Sequence, residues 1–190
     1  MGVSATDKYA GFLDHIQSYL GPVRETEAPT VTGANRGYAL FFCRTPDEDL
    51  ASVVTNGLRF QSITAVLPQE LVCTVHSVQR KAAHLITALT AELVMKTRHG
   101  VTLEQVIPSP GPLVPDSDIG GVVAATHPYA DDDFDTLRAA DGTTELQLIT
   151  LIPATVAELA FVEQHGIDAL FDRWETQETD LLDAFRRSAV

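Results

Sequence analysis

Residues 145–170 read ELQLITLIPATVAELAFVEQHGIDAL, and this stretch decides the fold. Its first part, residues 146–152, is a short run rich in Leu and Ile, with the length and composition of a buried strand. Pro153 has no amide hydrogen to give a sheet ladder, so the strand is expected to end there. Thr155 and Glu158 stand at the Thr-x-x-Glu spacing of a capping box, which satisfies two orphan amides at a helix start. Val156, Leu159, Ala160 and Val162 supply an apolar face for that helix. Gly166 is placed for the left-handed residue that closes it, and residues 167–174 predict a further short helix. One central strand therefore feeds a helix that packs back on its own sheet. Neither segment carries a catalytic group at an informative spacing.

Toward the N-terminus, Tyr9, Phe12, Leu13, Ile16, Tyr19 and Leu20 follow the spacing of an amphipathic helix. Ser4 or Thr6 caps its start and Gly21-Pro22 ends it. Residues 23–35 hold one edge strand between loops. Strands are expected over 37–44, 51–55 and 71–75, with a sharp turn at Asn56-Gly57, the dipeptide that best tolerates positive φ. The longest helix is expected over about 78–98, with Ala82, Leu85, Ile86, Leu89 and Leu93 as its core stripe and Gly100 closing it. A short extended piece over 102–107 and a proline-rich connection lead to a strand over 119–126. The acidic loop ADDDFD follows. Thr179 is placed to cap a last helix with Leu181, Leu182 and Phe185 turned inward.

A chain of 190 residues is most simply one domain over 1–190, large enough for a substantial core. No apolar run reaches the length of a membrane span, and no secretory signal is visible at the N-terminus. Gly2 with Thr6 gives only a weak match to a myristoylation pattern. Cys43 and Cys73 fall in predicted strands and read as buried thiols, which makes the cytoplasm the expected compartment. The net charge is −13, from 26 acidic and 13 basic residues. That balance argues against a nucleic-acid surface, which needs Lys and Arg facing phosphate.

Several of these stretches together resemble the bacterial branch of the suppressor-of-fused-like domain family. They are VVTNGLRF (53–60), ELVCTVH (70–76), LEQVIPSPGPLVPDSDIGGVVAATHP (103–128) and LQLITLIPATVAELAFVEQHGIDALF (146–171), in that order. The resemblance implies an α+β fold: a single domain with a mixed, mostly antiparallel sheet flanked by helices. It implies protein binding rather than catalysis, with no catalytic residues, cofactor or metal to carry over. Animal members hold zinc-finger transcription factors through a second, C-terminal half, which is not expected in a chain of this length. Many bacterial members are regarded as immunity proteins, which neutralise a toxin of a polymorphic toxin system by direct contact.

The residues themselves offer little catalytic chemistry. Cys73 and His76 lie three apart on a strand, where side chains at that spacing point to opposite faces. The six histidines show no metal-helix spacing. An enzyme built on Cys73 or His127 is thus the weaker alternative, and a regulatory scaffold that sequesters a transcription factor is the other. The densest charge is Asp131, Asp132, Asp133 and Asp135. Without the Gly and Glu positions of a calcium loop, this run reads as a solvated loop or as a contact surface for a basic protein such as a toxin domain.

Overall fold

The computed structural model describes residues 8–29, 37–47 and 49–190. The candidate cap residues Ser4 and Thr6, and Gly2, lie outside the described residues. The strands are β1 (Val23–Glu27), β2 (Ala39–Arg44), β3 (Leu50–Asn56), β4 (Gln69–His76), β5 (Val106–Pro108), β6 (Ile119–Ala125), β7 (Thr136–Arg138) and β8 (Thr144–Thr155). The helices are α1 (Phe12–Leu20), α2 (Arg80–Thr97), α3 (Val156–His165) and α4 (Ile167–Thr176). All eight strands join one sheet in the order β1-β2-β3-β4-β8-β6-β5, with β7 paired to the first part of β8. Every pairing is antiparallel except β4 with β8. The chain has the expected α+β architecture, a mixed and mostly antiparallel sheet with helices on both faces.

The sheet is covered on both sides, which is why its strands read as nearly continuous apolar runs. Side chains alternate across β4: Leu71, Cys73 and Val75 join a core with Ala82, Ala83 and Ile86 of α2. Val72 belongs to the opposite core, with Phe12, Ile16 and Leu20 of α1. Cys43 and Cys73 are both buried thiols, one in each core. A third cluster joins Val123, Ile152 and Ala154 to Leu170 and Trp174 of α4.

The central strand differs from its expected limits. β8 runs through Pro153 to Thr155. β4 pairs with it only as far as Thr150, so β6 is its single ladder neighbour beyond that point. Pro153 therefore costs no bond to β4, and its carbonyl accepts from Arg186 Nη2 at 2.8 Å. The capping box forms as expected: Thr155 Oγ1 accepts from the Glu158 amide and Glu158 returns the bond to the Thr155 amide. Val156 and Ala160 face solvent, however, and Leu159, Phe161 and Val162 make the half-buried side of α3. At Gly121, an added Cβ would meet Ile107 O at 2.4 Å, so only glycine lets β5 lie this close to β6.

Three other expectations are corrected. In α2 the buried face is Ala82, Ala83, Ile86, Thr87, Thr90, Ala91 and Val94, while Leu89 (45% exposed) and Leu93 (41%) face outward. Small residues let the helix lie close on the sheet, which rotates the buried stripe away from the leucines. That helix closes on Arg98 in the left-handed region, not on Gly100. No last helix forms after Thr179; residues 180–190 are turns and irregular chain, and Phe185 is exposed. This segment is held by tertiary bonds instead: Leu182 O accepts from the His76 amide, and Gln79 pairs with Asp183 and the Ala184 amide. The Asn56-Gly57 turn is present, and the buried Glu70 carboxylate organises it. Glu70 accepts from the Gly57 and Leu58 amides, from Thr55 Oγ1 and from Arg59 Nη1. Burial pushes this carboxyl up, against the pull of Arg59 and its hydrogen bonds.

Candidate functional site

β6 ends at Ala125 and the chain returns to the sheet at β7, so residues 126–135 form a loop spanning two neighbouring strand ends. Three side chains pin this loop from inside. His127 Nδ1 accepts from the Tyr129 amide at 3.3 Å, which leaves the proton on Nε2 to be donated to Thr74 Oγ1 at 3.0 Å. Thr74 in turn bonds Ser52 at 2.8 Å across the β3–β4 pair. Burial pushes the His127 imidazole down to about 4. Phe134 is fully buried, edge-on to His127 and stacked with His15, whose Nε2 bonds Phe134 O at 2.8 Å. His15 is thus half-buried against the loop.

Asp135 is the third pin. It is 8% exposed, and its Oδ1 accepts from the His127 amide at 2.9 Å. Burial raises its carboxyl, the His127 amide opposes that rise, and the Asp132 charge adds to it. The acidic run therefore divides by role. Asp131, Asp132 and Asp133 are exposed, whereas Asp135 faces inward and holds the loop. The pinned ends fix where the three exposed carboxylates are displayed.

Beside this loop lies an open groove of about 560 Å³. Pro128 and Tyr129 form one wall, Ile152 of β8 the floor, and Phe171, Trp174 and Leu181 the other wall. Trp174 is oriented by its indole N–H, which donates to Glu158 Oε1 at 3.0 Å. Glu158 is the buried centre of a wider network. It accepts from Arg186 Nη1 (2.6 Å) and Nη2 (2.9 Å) and from the Ala189 amide (3.1 Å), besides its capping-box bond. Burial alone would raise this carboxyl, but the hydrogen bonds and charge of Arg186 hold it below the usual range.

The groove was not legible in the sequence. Residues 125–129 and 171–181 meet only through the pairing of β6 with β8 and the return of α4. The visible signals were the aromatic pair Phe171 and Trp174 at helical spacing and the His-Pro-Tyr step after a strand. Other candidate residues stay apart from this site. Cys73 is fully buried, and burial pushes its thiol far up. His76 bonds Asp180 at 2.7 Å, and His84 pairs with Glu27 at 2.9 Å. Among the described residues, no group of three or more His, Cys, Asp or Glu side chains is placed to hold a metal ion. No helix among them is long and apolar enough to cross a membrane.

Comparison with known proteins follows the same lines. No curated protein matches the chain. A solved structure described as a suppressor-of-fused homologue from Neisseria gonorrhoeae superposes with a TM-score of 0.72 at 18% identity, covering 98% of each chain. The Sufu–Fu complex gives 0.63 at 10% identity, covering 96% of this chain and 92% of the other. Drosophila Suppressor of Fused gives 0.54 at 13% identity, and this chain matches 42% of its length. At these identities the structures establish a shared fold. The family model for suppressor of fused protein matches residues 35–187. The chain therefore belongs to the suppressor of fused protein family.

Proposed function

We propose that this chain is a non-enzymatic protein-binding domain, acting as one unit over residues 1–190 in the cytoplasm, that neutralises a bacterial toxin by direct contact. The observation that carries this reading is the display of Asp131, Asp132 and Asp133 on a loop whose ends are pinned by buried side chains. In a chain of net charge −13, such a face draws in a basic partner and sets its orientation. A nuclease toxin, whose own surface must meet phosphate, fits that description. Asp135 supports the face from behind without taking part in the contact. The solved Sufu–Fu complex supports a protein partner for this fold. The second reading is a regulatory scaffold that sequesters a transcription factor.

The enzymatic alternative is disfavoured by where its two candidate groups lie. Cys73 is enclosed between the sheet and α2 with its thiol form stabilised by burial. His127 is enclosed with Thr74 and Ser52 and stays neutral down to about pH 4. The test is to mix the purified domain with the toxin domain encoded beside it. Toxin activity should vanish at a one-to-one ratio, as a stable capping complex requires. Full toxin activity in the presence of excess domain would contradict the immunity reading.

A further inference from the structure

The acidic loop leaves the groove beside it unexplained. Its walls are aromatic and aliphatic, and the charged side chains along it are both acidic, Glu175 and Glu178. Both are exposed at the rim, and Asp131–Asp133 continue the same sign of charge two to four residues beyond Tyr129. Tyr129 is 54% exposed and Phe171 and Leu181 are half-buried, so apolar surface is open to a visitor. The indole of Trp174 is fixed by Glu158, so this wall is organised before anything binds.

We propose that the groove seats an apolar side chain of a basic polypeptide segment, whose flanking Lys or Arg residues lie against Glu175, Glu178 and residues 131–133. Charge complementarity selects this occupant. An acidic peptide would set carboxylate against carboxylate at the rim, and a second copy of this chain would bring another −13 to the contact. An aromatic-lined pocket ringed by polar groups is the usual form of an energetic centre in a protein interface. The proposal rests on the direct-contact reading above and adds an anchor to it.

Trp174 is the single tryptophan of the chain, so its emission reports occupancy of the groove directly. The probe is a Trp-free peptide of alternating Lys and Gly with one central Leu, compared with versions carrying Ser for Leu or Glu for Lys. The Lys/Leu peptide should give a saturable change in emission that weakens as salt rises. Binding should be about tenfold weaker or more with the Ser peptide, and with Tyr129→Ser or Glu175→Lys protein. Glu175 is exposed, so Glu175→Lys should melt like the parent and carries the test if Tyr129→Ser does not fold. An emission change that never saturates, undiminished binding by Glu175→Lys, equal binding of the Glu peptide, or a change that tracks self-association would each overturn the proposal. Toxin neutralisation that stays intact in a Glu175→Lys variant that has lost peptide binding would take the groove out of the toxin contact while leaving the direct-contact reading standing.

Discussion

At Gly166, φ is 86° and ψ 167°, a conformation open to glycine and strained for any L side chain. The space around it is empty, so a substitution meets backbone strain and no clash. Gly166→Val should lower stability by about 1 kcal/mol or more. An unchanged denaturant midpoint would show that the α3–α4 junction does not need this conformation. His127 makes a different demand. Below pH 6.5 an unfolded imidazole takes up a proton, while the folded one stays neutral to about pH 4. The unfolded chain therefore binds more protons across that window, and stability falls as pH drops through it. Asp135 acts in the opposite sense, because its raised carboxyl takes a proton in the folded state first. Comparing the parent with His127→Gln isolates the histidine: the difference in slope between pH 6.5 and 4 should be positive in pH and amount to about 2 kcal/mol. Equal slopes would place His127 in water. The sequence reported these two residues unequally. The glycine's role follows from local spacing, whereas the histidine's depends on Thr74, 53 residues away.

The elements were most legible where neighbours in sequence are neighbours in space. The Thr155–Glu158 capping box, the Asn56-Gly57 turn and the apolar runs of β2, β3 and β4 follow from local patterns. What was not legible came from partners far along the chain. Pro153 is tolerated because β4 stops pairing at Thr150, which no local pattern reveals. Segment 180–190 has a capping residue and apolar spacing but gains more from His76, Gln79 and Glu158 than from a helix of its own. Arg186 is the strongest of these ties, so Arg186→Ala should cost about 3–5 kcal/mol by leaving Glu158 a buried charge without its cation. Equilibrium unfolding in urea measures this directly. A loss under about 1 kcal/mol would mean that the carboxylate is satisfied by Trp174 and the backbone alone.

At the scale of the whole molecule, composition indicates the sign of charge of the proposed partner surface, and the pinned loop would set its shape. The net charge of −13 is spread over many sites, but the loop between β6 and β7 holds three exposed aspartates at fixed positions. Asp135 belongs to the same run in sequence and to the interior in space, where it is held by the His127 amide. Replacing Asp131, Asp132 and Asp133 by Asn and Ser, with Asp135 left intact, should barely change the melting temperature, because exposed charges carry little stability. The central claim is that this face meets the partner. It is tested most directly by the association rate of the purified partner toxin at low and high salt, for the parent and for this triple variant. The parent rate should fall steeply with salt, and the variant should be about tenfold slower at low salt with a flatter dependence. Equal rates with equal salt dependence would contradict it.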